Sequence, residues 1–226
     1  KIASAVSLVK DNVVWDEKYK VFPEPVGQVV KARSGSNADI NCLIAGCLRE
    51  MGYTVDMVLI KMRSSSMLLD FQPERNPYDT FILRVTGSDG SQYYLDGGSP
   101  HGYINVLPPD LLVTNARLVR PNVPGEWVDL TRLTRNGTTM TVATTLTDDL
   151  RLSGEYTCKE TGNTSYSTKE SYSESDDEQD YISEIETDLA IEIDDITFGQ
   201  MKEYSSSSQT EYKFHKDLDA SGDFVY

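Results

Sequence analysis

The chain has 226 residues, of which 38% are hydrophobic and 25% are charged, and its formal net charge is −15. This apolar content is enough for a packed core, which excludes a globally disordered chain, and no apolar run approaches the roughly 18 residues that a membrane helix needs. The acidity is regional: residues 1–115 carry 11 Lys+Arg and 13 Asp+Glu, whereas the remainder carries 10 and 23. A surface of this sign repels phosphate backbones and disfavours nucleic acid as a partner. Because Lys1 opens an apolar-periodic stretch without a preceding Met, we expect the chain to be cut from a longer precursor.

The clearest element of the sequence is a helix whose apolar residues recur from Ile40 at i, i+3, i+4, i+7, i+8 and i+11. This period gives one apolar face. Ser36 and Asp39 have the spacing of a capping box, so we expect the helix to begin at Ser36 or Asn37. Gly52 is a natural terminator.

Two weaker helices, three strands and a polar loop complete the first half of the chain. The strands are rich in β-branched and aromatic residues, and an Asp-Gly pair marks a tight turn between the second and the third. The expected ranges are 2–14 and 26–33 for the helices, 54–62, 80–86 and 92–95 for the strands, and 64–79 for the loop.

After residue 115 the pattern changes to short strands separated by turns, which predicts a second domain that is acidic and β-rich. The strands are expected over 117–120, 126–130, 138–146, 150–158, 190–198, 201–206 and 210–214. One weak amphipathic helix is expected within residues 166–188. The stretch from Glu170 to Asp195 holds twelve carboxylates, but it lacks the spacing and the central Gly of a calcium loop, so a solvated face is favoured and weak cation binding stays open.

The order of elements in the first half resembles the core of the transglutaminase-like superfamily, which is related to papain. The stretches that carry the resemblance are Gly35-Ser36-Asn37-Ala38-Asp39-Ile40-Asn41 with the helix behind it, Val58–Arg63, Tyr78–Ile82 and Tyr93-Tyr94-Leu95-Asp96. The resemblance implies an α+β fold in which a central helix packs against an antiparallel sheet over residues 1–115, with a small β-rich domain containing one helix over residues 116–226. In this family a Cys opens the helix as nucleophile, a His on the next core strand is the base, and an Asp at the following strand end orients the His.

Position by position, the family's Cys falls on Asn37, its His falls on Thr80, and its Asp falls on Asp96, which is retained. Asn is no nucleophile for acyl transfer, and Thr is no base near neutral pH. The resemblance therefore implies a pseudoenzyme without catalytic residues. The vestigial cleft would be lined by Asn37, Asn41, Thr80 and Asp96, and would bind a peptide, a protein or a glycan without cutting it.

Three alternatives remain open at this point. An enzyme could use Cys42 as a non-standard nucleophile, an unrelated hydrolase could use Asp96 and His101, or the domain could be a purely structural spacer. Cys42 lies past the helix terminus, where the dipole lowers a thiol pKa little, and Cys47 falls on the apolar face. The sequence has no CxxC motif, and His101 and His215 are far apart, so neither a metal site nor another cofactor is expected.

The second half carries a looser resemblance to the same superfamily. Bacterial envelope proteins of this group often have a β-rich domain directly behind the core, and the cue here is the stretch from Thr147 to Tyr156. The resemblance implies a binding or scaffolding module in a periplasmic or secreted bacterial protein. The sequence does not fix the ligand or the oligomeric state.

Overall fold

The computed structural model describes residues 1–65 and 77–218, together with the backbone of residues 220–221 and 224–225, so residues 66–76 of the expected polar loop lie outside it. The chain divides into two compact units, Lys1–Arg135 and Asn136–Tyr226. The described residues form five α-helices and mostly antiparallel sheets, which confirms the predicted α+β class. None of the described helices has the length and apolar character needed to cross a membrane.

The described residues of the first unit form three helices and a five-stranded antiparallel sheet with the strand order β5-β4-β3-β6-β7. The helices are α1 (Ile2–Lys10), α2 (Val26–Ala32) and α3 (Asn37–Glu50). The strands are β3 (Thr54–Ile60), β4 (Thr80–Thr86), β5 (Gln92–Leu95), β6 (Ala116–Arg120) and β7 (Val123–Val128). A short parallel pair, β1 (Val14–Trp15) and β2 (Ser34–Gly35), lies outside this sheet, and Pro109–Leu111 forms a 3-10 turn.

Helix α3 is the central helix of the first unit, and its predicted start is confirmed. Ser36 is the N-cap: its hydroxyl accepts from the backbone of Asp39, whose carboxylate in turn accepts from the backbone of Ser36 at 2.8 Å. The face carrying Ile40, Ile44 and Leu48 is buried. By contrast α1 is shorter than predicted, because the chain leaves it to form β1.

The boundary between the two units falls between Arg135 and Asn136. The sequence had predicted it after residue 115. The reason is that β6 pairs with the central strand β3, with Leu118 opposite Val58, and β7 extends the same sheet. Leu118 and Leu130 belong to the same buried core as Val58. The boundary also sharpens the charge partition, since residues 1–135 carry 15 Lys+Arg and 15 Asp+Glu, whereas residues 136–226 carry 6 and 21.

In the part of the second unit that the structure describes, four strands form an antiparallel sheet with the order β10-β11-β9-β8, and helices pack on part of it. The strands are β8 (Gly137–Leu146), β9 (Arg151–Thr161), β10 (Glu192–Gly199) and β11 (Ser207–Asp217). A hairpin of two short strands, β12 (Ala220–Ser221) and β13 (Phe224–Val225), follows. The helices are α4 (Asn163–Glu174), which packs on β9 and β11, and α5 (Glu178–Leu189), which packs on β10.

Two expectations for the second unit need correction. The single predicted helix is two helices, because the chain is extended at Ser175 and Asp177 caps the second one, accepting from the backbone N–H groups of Gln179 and Asp180 at 2.8 and 3.0 Å. Residues 201–206 form bends and not a strand. The buried ammonium of Lys169 donates hydrogen bonds to the carbonyl oxygens of Glu203 and Ser205 in that stretch, so these oxygens are not used in strand pairing.

Candidate functional site

Four residues predicted to line the vestigial cleft come together below the start of α3, and we call them the polar cluster: Asn37, Asn41, Thr80 and Asp96. The side-chain amide of Asn37 donates to the hydroxyl of Thr80 and to the carbonyl of Phe81, the latter at 3.2 Å. Asn41 Nδ2 donates to the same Phe81 carbonyl and to Asp96 Oδ1, both at 2.9 Å. The three positions that the resemblance assigns to Cys, His and Asp therefore belong to one hydrogen-bonded network.

The polar cluster lies in the interior of the first unit. Asn37, Asn41 and Thr80 are 0% exposed, and Asp96 is 3% exposed. The sequence predicted that these side chains line an open cleft, but in the structure they are buried and form no such wall. A ligand could reach them only if other groups moved away.

A stretch that we call the covering segment, residues 18–24, contributes to the burial of Asn37. Its backbone is hydrogen-bonded to the N-terminus of α3 at three points: Lys18 O accepts from Asn37 N at 3.1 Å, Lys20 N donates to Asn37 Oδ1 at 2.8 Å, and Glu24 N donates to Asp39 Oδ1 at 2.5 Å. A helix N-terminus offers unpaired N–H groups, and the first of these bonds uses one of them within the protein, while in the other two the side chains of Asn37 and Asp39 accept from the covering segment. In the sequence this stretch was visible only as a loop containing prolines.

The partners of the two amides fix their orientation and use both polar atoms of each. Asn37 Oδ1 faces the donor Lys20 N, while its Nδ2 faces acceptors. Asn41 Oδ1 accepts from Gly97 N at 2.7 Å, while its Nδ2 donates to Phe81 O and Asp96. Buried polar groups without partners are costly, so this pairing is the arrangement of a structural network.

An acid and a base also meet here, and sequence reasoning missed the base. Burial raises the pKa of Asp96, against the opposing effect of hydrogen bonds from Asn41 and Ser99 N and of the Lys10 ammonium. Burial lowers the pKa of Lys10 to about 8, and Asp96 opposes that shift. The Lys10 ammonium donates to the carbonyl of Ser99. Lys10 is the last residue of α1. It is 89 residues from Ser99 in the sequence, so no local pattern could indicate that the two would be in contact.

The Asp-Gly-Gly end of β5 allows the close contact between that strand end and α3. A Cβ on Gly97 would lie 2.5 Å from Ile40 Cγ2, and one on Gly98 would lie 2.7 Å from Asn37 Cβ. Asp96 Oδ2 also accepts from Ser99 N at 3.1 Å, so the carboxylate caps the turn as well as joining the polar cluster.

Cys42 is not a partner in the described hydrogen bonds of the polar cluster, and His215 belongs to the second unit. Cys42 is half-buried, and burial together with the nearby Asp39 raises its thiol pKa, although Arg49 opposes this. His215 lies on β11, where its ring nitrogens are 3.1 and 2.8 Å from carboxylate oxygens of Glu192 and Asp194. Within the described residues, no group of three or more His, Cys, Asp or Glu side chains is placed to hold a metal ion.

An apolar groove of about 710 Å³ adjoins the polar cluster, and it is the second feature of the site. Two of its walls touch the cluster directly: Lys20 donates to Asn37, and Asp79 precedes Thr80 in the chain. Met57 and Val119 are cross-strand partners, so their side chains share one face of the sheet. The lining residues are Lys20, Val21, Phe22, Pro23, Met57, Leu59, Pro77, Tyr78, Asp79 and Val119.

Few polar atoms in this groove are available to a ligand. Asp79 accepts from the Lys61 ammonium at 3.1 Å and from Met62 N at 2.9 Å. Burial raises the pKa of Tyr78, so its phenol keeps its proton and can donate. Four separate segments form the groove, which is why no local pattern predicted it.

No family model, curated protein or solved structure matches this chain.

Proposed function

We propose that the first unit is a non-catalytic, transglutaminase-like module that binds an apolar side chain of an extended peptide in the apolar groove. The observation that carries the proposal is the groove itself, whose volume falls in the range of small-ligand sites, about 300–1,000 Å³. The convergence of Asn37, Thr80 and Asp96 at the start of the central helix supports the family assignment. The covering segment provides a wall of the groove while it shields Asn37.

Three observations support the absence of thiol acyl-transfer chemistry. The nucleophile and base positions hold Asn37 and Thr80, and both side chains are buried and hydrogen-bonded. The covering segment occupies the approach to the helix N-terminus. The nearest alternative, Cys42, has a raised thiol pKa, whereas a reactive cysteine needs a lowered one.

The chemistry of the lining favours a peptide over a glycan or a flat protein surface. The groove is lined largely by aliphatic, proline and aromatic side chains, among them Met57, Leu59 and Val119. A glycan would need several donors and acceptors, and Asp79 is already engaged. An apolar side chain needs none, and its burial would contribute about 1.5–3 kcal/mol. The periplasmic or secreted bacterial setting comes from the resemblance alone and remains part of this proposal.

The test uses protein labelled at its methionine methyl groups, because Met57 lies in the groove and Met140 lies in the second unit as an internal reference. The probe is acetyl-Ala-Leu-Ala-amide, with acetyl-Ala-Glu-Ala-amide and maltose as comparison ligands. We expect a saturable NMR shift of the Met57 methyl with the leucine peptide and none at Met140. The variant Leu59→Gln should weaken this binding by about tenfold, which corresponds to 1.4 kcal/mol. The matched variant Leu146→Gln, in the second unit, should leave it unchanged.

The other outcomes separate the competing functions. A shift with maltose but not with the leucine peptide would replace the peptide by a glycan. No saturable shift with any ligand would leave the structural spacer, which the fully paired polar cluster also supports. Rapid modification of Cys42 by iodoacetamide in the folded protein would reopen the enzymatic alternative.

A further inference from the structure

The second unit presents an edge strand that is open along its whole length. In the described sheet order, β8 is the last strand, and its outer side pairs with no described strand. All ten of its residues are exposed, and the helices pack on β9, β11 and β10 instead. Its apolar side chains Met140, Val142 and Leu146 are each at least half exposed.

Strand β8 lacks the devices by which proteins protect an edge. Such devices are charged residues, proline, bulges and short strands. The sequence of β8 contains no charged residue and no proline, and it pairs with β9 residue by residue from Gly137 to Leu146 without a bulge.

The opposite edge of the same sheet has these devices. Strand β10 carries Glu192, Asp194 and Asp195, and its pairing with β11 shifts register between Ile193 and Asp195. One edge of the sheet is therefore protected against pairing, while the other is left available for it.

We propose that β8 pairs antiparallel with β8 of a second copy of this chain, which joins two four-stranded sheets into one of eight strands. In an isologous antiparallel pair, opposed residues must share a face. We choose the register centred on Thr141 opposite its own counterpart, because it places Met140 opposite Val142 on both sides of the twofold axis and so pairs the exposed apolar side chains of the two copies. Because β8 contains no charged residue, no like charges oppose each other across the pair in any register.

The acidic charge of the second unit is concentrated away from β8, which itself carries no charge, and this allows a second copy to pair at that edge. The unit carries 21 Asp+Glu against 6 Lys+Arg, which would repel a like-charged partner, but twelve of those carboxylates lie between Glu170 and Asp195. That stretch runs from the second half of α4, which packs on β9 and β11, through α5 to the start of β10 at the edge opposite to β8. Across the proposed pair the two β9 strands would be about 14 Å apart, three strand spacings, which exceeds the screening length of about 8 Å at physiological salt.

The test is sedimentation equilibrium of the whole chain from about 5 to 200 µM, because self-association depends on concentration. We expect a monomer–dimer equilibrium for the natural sequence. Thr141→Lys places two ammonium groups opposite each other and should weaken the dimer by about tenfold or more. Thr197→Lys, the same change at an exposed position on β10, should leave it unaffected.

A charge exchange makes the test independent of any single variant. Thr141→Glu should also lose self-association, and an equimolar mixture with Thr141→Lys should recover a heterodimer. Circular dichroism establishes that each variant is folded. A natural chain that stays monomeric over the whole range, or a Thr141→Lys protein that associates as the natural chain does, would overturn the proposal and leave the edge to a different partner.

Discussion

Replacing Asn41 by Ala tests the claim that the polar cluster is a structural network. The change removes the donor to Asp96 Oδ1 and the acceptor of Gly97 N, while Phe81 O keeps its bond from Asn37. Leaving a buried polar group unpaired costs about 1–3 kcal/mol, and more when the group is charged. We expect the variant to lose about 3–5 kcal/mol of unfolding free energy, a large part of the 5–15 kcal/mol that a domain typically has.

Urea unfolding followed by tryptophan fluorescence measures this loss selectively, because Trp15 and Trp127 both lie in the first unit. The control is Asn12→Ala, since Asn12 makes one exposed hydrogen bond, to Leu8 O, and its loss should cost under about 0.5 kcal/mol. A loss below about 1 kcal/mol for Asn41→Ala would refute the argument that these bonds are buried and unreplaced.

The same variant has a pH signature. Asp96 already has a raised pKa in the folded protein, and the bond from Asn41 opposes that rise. Removing the bond raises the pKa further above the unfolded value of about 3.9. A raised acid pKa means that stability is lost as the pH rises through the window between the two values, because the folded state holds the proton more tightly. The deficit of Asn41→Ala should therefore shrink on acidification.

Three further predictions concern the neighbours of this network. Because the pKa of Lys10 is lowered from 10.5 to about 8, the unfolded state binds more protons than the folded state between these pH values. The free energy of unfolding, measured with urea, should therefore rise with pH in this window by at most about 3 kcal/mol. Lys10→Met should abolish the rise. A thiol introduced by Asn37→Cys should react with iodoacetamide at least about tenfold more slowly in folded than in urea-unfolded protein, as read by peptide mass spectrometry, because the site is covered. Gly98→Ala should lose about 1–3 kcal/mol in thermal unfolding through its clash with Asn37, whereas Gly46→Ala, on an open face of α3, should be neutral or stabilising.

The sequence predicted best those elements whose signals are local. The start of α3 followed from the Ser36–Asp39 capping box, and β4 and β5 follow the predicted ranges because an Asp89-Gly90 turn bounds them. The second helix of the second unit also had a local signal, the capping Asp177, which was overlooked within a uniformly polar stretch.

What could not be predicted depends on contacts between distant segments. Strand β6 belongs to the first sheet because it pairs with β3, where Val58 lies opposite Leu118. These two strands are far apart in the sequence, so a local pattern could not predict that they pair. The sequence identified four members of the polar cluster, but not that the covering segment would be hydrogen-bonded to Asn37 or that Lys10 would interact electrostatically with Asp96. The groove depends on residues from four segments, none of which is distinctive by itself.

The buried ammonium of Lys169 has a consequence for chemical labelling. Its nitrogen donates to Glu203 O at 3.1 Å, and to the carbonyl and hydroxyl oxygens of Ser205 at 2.8 and 3.0 Å, while the residue is 1% exposed. Burial lowers its pKa, but its three hydrogen bonds hold the nitrogen inside the protein and away from reagents in solution. Amine-acylating reagents should therefore spare Lys169 in the native protein while they modify the exposed side chains of Lys202 and Lys213. The reactivity of this one lysine then reports whether the stretch around Ser205 remains docked on α4.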